Sequence, residues 1–232
     1  MKIIELLHGS DHIIKIPSYG EGKINNDYGR GFYCTQDFDL AGEWACRHGS
    51  DGYINRYILD TEKLKVLDLC DGNHSVLEWI AILLQNRTFR LSGDLAQETR
   101  TYIIDNFSVD VSKYDLIRGY RADDSYFQFA EAFVENTISV SRLSQAMHLG
   151  NLGIQIALVS KKSFKNIEYE GTTKVSGGDY YPRFLTRDQK ARRDYKESLS
   201  KKNNYRNEIF ALDILREEMG RKDERIQRTI RK

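Results

Sequence analysis

Residues 25–45 read NNDYGRGFYCTQDFDLAGEWA. Gly29 and Gly31 flank Arg30 just ahead of an aromatic, strand-forming segment, Phe32-Tyr33-Cys34-Thr35. Glycines in that place let backbone approach a ligand closely, or adopt turns closed to other residues. Side chains alternate across a strand, so if Phe32 faces the core, Tyr33 faces the other side. Thr35 or Asp37 is placed to cap a following helix, with Leu40, Ala41, Trp44 and Ala45 on its buried stripe. The stretch thus couples a glycine-sprung turn to a strand and then to a helix start.

Working outward, residues 3–7 form a short apolar run with β-branched residues, and the strand it predicts ends in a turn at His8-Gly9-Ser10. A second apolar run, residues 13–16, is stopped by Pro17, and residues 18–27 have loop composition. Strands are expected at residues 53–59 and 64–69, with a turn at Asp60-Thr61-Glu62-Lys63 between them. Val76, Leu77, Ile80, Leu83 and Leu84 recur at helical spacing in residues 74–85, and residues 95–107 read as a second helix. Residues 114–120 and 154–159 read as strands buried on both sides. Residues 126–134 and 141–147 look helical, and residues 150–153 form a turn. From Leu185 onward the chain is highly charged, and residues 195–231 are expected to form one or two helices. Ile209, Leu212, Ile214, Leu215 and Met219 give that segment an apolar stripe, which must pack on the body or on a partner. The simplest division is one domain over residues 1–185 and a charged helical extension over 186–232.

Bulk properties bound the function. The chain has 232 residues, of which 40% are hydrophobic, enough to fill a substantial core. Its formal net charge of +1 argues against a strongly basic nucleic-acid binder. The charge is uneven, however: residues 187–232 hold 15 Lys/Arg against 9 Asp/Glu. Cys34, Cys46 and Cys70 cannot pair completely and lack metal-ligand spacing, which suits reduced thiols, and no metal is expected. The first residues do not read as a signal peptide, and no apolar run approaches the roughly 18 residues of a membrane span, so a cytoplasmic protein is expected.

Taken singly, Gly-Arg-Gly suits a plain turn, Tyr33 a core position and His8 a satisfied structural imidazole. The joint pattern is less ordinary. His-Gly-Ser follows an apolar strand, Gly-x-Gly-aromatic-Tyr comes about two dozen residues later, and Trp44 lies 11 positions beyond Tyr33. This arrangement resembles the ADP-ribosyltransferases of the diphtheria-toxin and poly(ADP-ribose) polymerase type. It resembles more closely still an uncharacterised bacterial group of that superfamily, domain-of-unknown-function family 3990, which carries similar HGS, NDYGRGFY and RADDSYF runs and a GxQ-containing strand.

The resemblance implies an α+β fold with two facing, mostly antiparallel sheets split around an NAD cleft, and flanking helices. It implies that His8 hydrogen-bonds the adenosine ribose and that the Gly9 backbone holds the nicotinamide carboxamide, with help from the Ser10 hydroxyl. Tyr33 would stack on the nicotinamide ring and Trp44 would close its other side, since a flat heterocycle is well held by offset stacking. Asn26 and Gly31 would line the same pocket, and Arg121 or Arg118 would take the pyrophosphate. Active relatives place a glutamate on a later strand, where this chain has Gln155. An amide there can still hydrogen-bond the ribose but lacks the charge that offsets a developing cation, a loss of about 3–4 kcal/mol. Asp123 or Asp124 could supply the missing carboxylate, or could cap the helix that follows; Glu168 lies too far along.

The function implied is mono-ADP-ribosylation of a protein or nucleic-acid acceptor, with NAD as substrate, in a bacterial toxin held by an antitoxin or immunity protein. An NAD glycohydrolase and a non-catalytic NAD or ADP-ribose sensor are the alternatives.

Overall fold

The computed structural model describes residues 2–122, 124–147, 153–200 and 207–230. Among these, seven strands form two sheets. β1 (Ile3–Ser10), β3 (Gly52–Asp60) and β7 (Ile167–Val175) make an antiparallel sheet in the order β1-β3-β7. β2 (Phe32–Cys34), β6 (Ile154–Leu158), β5 (Leu116–Tyr120) and β4 (Val66–Asp68) make the other, in the order β2-β6-β5-β4. In this second sheet β4 runs parallel to β5 and the remaining pairs are antiparallel. The fold is therefore mixed α+β.

Alternation explains how the layers stack. On β5 and β6, Leu116, Ile156 and Leu158 face a core shared with Leu6, Cys34, Tyr57 and Leu59. Their neighbours Ile117 and Ala157 face the opposite way, onto a larger helical core. Both strands are covered on two faces, as their unbroken apolar runs require. The helical core is built from α2 (Val76–Asn86), α3 (Asp94–Phe107), α4 (Asp124–Val134) and α5 (Val140–Ala146). A separate helix, α1 (Phe38–Ala45), packs Ala41 and Ala45 against Leu7, Ile54 and Val175 of the three-stranded sheet. Asp37 caps α1 by accepting from the Leu40 N–H at 3.0 Å.

Several expectations need correction. β1 continues through Ser10, so His8-Gly9-Ser10 is strand and not turn. Residues 13–16 form no regular element, and Ile13 and Ile16 are exposed. β7 was not anticipated; its sequence, IEYEGTTKV, carries enough polar side chains on an edge strand to read as loop. Glu168 sits there, exposed and paired in register with Ile58. After the short α6 (Lys161–Lys165) and β7, the last helical region begins earlier than its charge pattern suggests, with α7 (Gly177–Ser200), and continues with α8 (Ala211–Arg216) and α9 (Glu224–Ile230). The expected turn at residues 150–153 lies mostly outside the described residues.

The boundary expected at residue 185 falls inside α7, and Ala191, Ala211, Ile214, Met219 and Ile226 join the helical core. The apolar stripe of the C-terminal segment thus packs on the body. Some of its positive charge is matched as well: Arg187 pairs with Glu43 of the body, and Arg192 and Arg225 pair with Asp188 and Asp223 of the segment itself.

Candidate functional site

The two sheets pack face to face over a shared core, and among the described residues their backbones pair at one place. Leu7 and Thr35 exchange both backbone hydrogen bonds, at 2.8 and 2.9 Å, and this isolated bridge is the only pairing of β1 with β2 among the described residues. Amide groups alternate between the two edges of a strand. Gly9, two residues beyond Leu7, therefore turns its N–H and C=O to the same edge, past the point where pairing stops. The His8 side chain spans the opening: its Nδ1 lies 2.7 Å from the Tyr33 carbonyl oxygen. A carbonyl only accepts, so Nδ1 carries the proton and Nε2 is left as an acceptor. Burial holds the imidazole below its ordinary pKa, which favours this neutral form. The ring also stacks on Phe32, with centroids 4.3 Å apart.

Gly9 has a second constraint. A Cβ there would overlap the Ala41 carbonyl oxygen and press on the Ala45 nitrogen, so the close approach of α1 to β1 demands glycine whatever the strand edge binds. Gly31 is similarly fixed by packing, against the Leu158 carbonyl of β6. Ser10 belongs to a scaffold network: it accepts from Asn55 Nδ2 at 3.1 Å and donates to the His12 carbonyl. Asn26 shapes the loop, its carbonyl accepting from the Gly29 N–H at 3.0 Å while Gly29 adopts φ +77°.

Tyr33 faces away from Phe32, toward the helical core. Its hydroxyl donates to the Gly29 carbonyl at 2.6 Å and accepts from the Tyr28 N–H at 3.0 Å, which locks the Asp27–Gly29 loop onto the strand it precedes. Burial pushes this phenol well above its ordinary pKa. The Tyr28 ring lies nearly parallel to that of Tyr33, and its hydroxyl donates to the Tyr120 carbonyl at 2.6 Å. Gly119 leaves the room for this, since a Cβ there would overlap the Tyr28 hydroxyl.

The same loop inserts an acid that was not singled out from sequence. Asp27 is 6% exposed. Its Oδ2 accepts from the Ala122 N–H at 2.9 Å and from Gln155 Nε2 at 2.8 Å, and its Oδ1 lies 3.6 Å from Arg87 Nη1. Desolvation raises its pKa; the two hydrogen bonds, then Arg87 and Arg121, act against that rise. Gln155 Nε2 also donates to the Tyr120 carbonyl at 3.3 Å. The one advance signal of Asp27 was an acid set within an aromatic and glycine run.

Arg121, just past β5, lies with its guanidinium 5.4 Å from the Trp44 ring centre, and its charge acts on both Asp27 and Glu43. Glu43 is a second acid missed from sequence, nearly fully buried on α1 and paired with Arg187 at 2.8 Å. Trp44 and Tyr33 make no ring contact, and Trp44 Nε1 is buried with no hydrogen-bond partner among the described residues. Arg118 is held by Asp68 at 2.9 Å, which ties β5 to β4. Asp123 lies outside the described residues; Asp124 is the first residue of α4, and nothing is described of its side chain.

The structure therefore brings the His8 ring and the Gly9 edge to the Tyr33 backbone, while the Tyr33 ring turns to the other face of β2, and it links Gln155 through Asp27 to the loop that precedes Tyr33. Ser10, Asn26 and Gly31 serve local structure. Two cavities lie elsewhere: about 1070 Å³ between α5 and the C-terminal segment, and about 470 Å³ between α1 and α7. No helix among the described residues is long and apolar enough to cross a membrane.

A family model described as "Protein of unknown function (DUF3990)" matches residues 4–169. That span runs from β1 into β7 and contains the whole seam and the Asp27–Gln155 pair; α7, α8 and α9 lie beyond it. No curated protein and no solved structure gives a significant match to the chain.

Proposed function

The chain belongs to the DUF3990 family, and from that premise we propose that it is an NAD-dependent mono-ADP-ribosyltransferase. The observation that carries this reading is the parting of β1 from β2 after the Leu7–Thr35 bridge. It leaves the Gly9 backbone edge unpaired beside an imidazole that is held by the Tyr33 carbonyl, with the Tyr33 ring on the other face of that neighbouring strand. A strand edge offering N–H and C=O together is complementary to a carboxamide. An oriented imidazole with Nε2 open accepts from a ribose hydroxyl. The Tyr33 ring, fixed through its hydroxyl, offers a rigid stacking surface.

In the reaction, the bond between nicotinamide N1 and ribose C1′ breaks, and its electron pair leaves with nicotinamide. The ribose carries positive charge in an oxocarbenium-like transition state. A lone pair on the acceptor then forms the new bond to C1′, and the acceptor proton goes to solvent. The chain's part is to hold the dinucleotide in that geometry and to place negative potential beside the ribose. Gln155, on the strand next to β2, is the residue assigned to the ribose. The acceptor is a protein or nucleic acid, and the proposed setting is a bacterial toxin with an antitoxin or immunity protein as its partner.

The uncharged side chain at position 155 favours a second reading, a module that binds NAD or ADP-ribose without turnover. One assay separates them. Pure protein with labelled NAD and a cell lysate should release nicotinamide and label a macromolecule. His8→Ala and Tyr33→Ala should abolish both signals. Release without a labelled macromolecule identifies a glycohydrolase, and binding without release identifies a sensor.

A further inference from the structure

We propose that Asp27 and Gln155 work as one unit, in which the Asp27 carboxylate polarises the Gln155 amide so that its Oε1 presents negative potential to the ribose. This rests on the reading of the site as one that cleaves NAD. Asp27 touches no substrate in this scheme and is a positioning residue; Gln155 makes the contact.

The hydrogen bonds fix the arrangement. An amide nitrogen has two protons, and both are used on Gln155, one by Asp27 Oδ2 at 2.8 Å and one by the Tyr120 carbonyl at 3.3 Å. Both partners are acceptors, so the amide cannot be flipped. Oε1 is the group left over, and no donor among the described residues reaches it. A carboxylate on the N–H side of an amide draws those protons toward itself and leaves more negative charge on the carbonyl oxygen. Burial strengthens the effect, because both residues are shielded from water: Asp27 is 6% exposed and Gln155 4%.

The same contacts explain why position 155 is not a glutamate. One of its oxygens, standing where Nε2 stands, would meet both Asp27 Oδ2 and the Tyr120 carbonyl, which repel another acceptor. The charge that opposes the ribose cation has moved one hydrogen bond back, onto a loop residue 128 positions away in sequence. Asp27 is itself held by the Ala122 N–H and by Arg87, while Arg121 and the Tyr28 and Tyr33 phenols also act electrostatically within this group.

The test is a charge swap in the full-length chain, read as nicotinamide release from NAD. Asp27→Asn should lower kcat by about a hundredfold while KM stays within about twofold. Gln155→Glu alone should also be impaired, because two acids then face each other. The double variant, Asp27→Asn with Gln155→Glu, restores one carboxylate and one amide in exchanged places and should recover at least about tenfold over Asp27→Asn. Its kcat should acquire the acid limb of the new glutamate in place of that of Asp27, a change that a merely structural role would not produce. A folded Asp27→Asn protein with wild-type kcat overturns the proposal, as does a double variant no better than Asp27→Asn. If the variants fail to fold, the Gln155 side-chain amide resonance in the wild-type protein decides instead: it should shift as Asp27 ionises, and a resonance indifferent to pH overturns the coupling. A wild-type chain that binds NAD but releases no nicotinamide sinks the NAD-cleaving reading itself, and is distinguishable because the parent protein is then silent.

Discussion

Among the described residues, Asn55 of the three-stranded sheet and Gln155 of the four-stranded sheet are both buried polar side chains with several hydrogen bonds, built to different ends. Asn55, on β3, is fully buried. Its amide nitrogen reaches Ser10 Oγ at 3.1 Å and the His12 carbonyl at 3.2 Å, and its oxygen accepts from the Ile14 N–H and the Thr172 hydroxyl, both at 3.0 Å. Every partner is neutral and every bonding position is filled. Gln155, on β6, has a filled nitrogen, an open oxygen and a carboxylate behind it. A saturated neutral hub fixes structure: it holds the loop after β1 against the sheet and leaves nothing over. An unsaturated hub backed by a charge tolerates a buried acid whose pKa is raised, and keeps one acceptor in reserve. That difference, more than burial or position, separates scaffold from candidate site here.

Substitutions that remove each hub should have different consequences. The largest stability effect is expected for Asn55→Ala, which strands the Ile14 N–H and leaves a gap in the sheet; urea unfolding should show a loss of about 3 kcal/mol. Asp27→Asn should differ in kind, with stability at neutral pH held or increased because a desolvated charge is removed, while turnover falls. Equal stability losses at the two positions would erase the contrast.

Gly9→Ala comes next, at about 2 kcal/mol, because α1 must shift to admit the methyl group. A thermal melt would measure it, and the loss should appear with or without NAD present. The pH dependence of stability then separates the two sides of the seam. His8 has its pKa lowered by burial, so the stability linked to its neutral form should be lost as pH falls below its ordinary value of 6.5. Asp27 has its pKa raised, so the stability linked to its protonated form should be present below its ordinary 3.8 and lost as pH rises through the folded value. Denaturation series of His8→Ala and Asp27→Asn across pH should each remove one of these opposite slopes. The smallest effect is expected from Tyr33→Phe, which deletes the hydroxyl bonds to Gly29 and Tyr28 but keeps the ring: about 1 kcal/mol in stability, with NAD binding by calorimetry largely retained.

Much of the frame was legible in residue order. The apolar runs of β5 and β6, the aromatic strand at residues 32–35, the Asp37 cap and the stripe of α2 follow from alternation and helical spacing, which are local properties. β7 and the start of α7 escaped because an edge strand and a surface helix need only one apolar face, and charged side chains dilute that signal. The site divided along the same line. His8 and Tyr33 stood out because their neighbours form a spaced pattern; Asp27 and Glu43 did not, because an acid in isolation reads as surface charge.

Residue order alone is enough to place an apolar strand running up to His8, an aromatic strand through Tyr33 and the helix start at Asp37. Tertiary structure alone decided that β1 and β2 part after one bridge, that α1 presses on Gly9, and that Asp27 and Gln155 share a hydrogen bond. The physical reason is range. Periodicity records which face of each element is apolar, whereas the partner of a buried charge depends on which two faces meet after the chain has closed over more than a hundred residues.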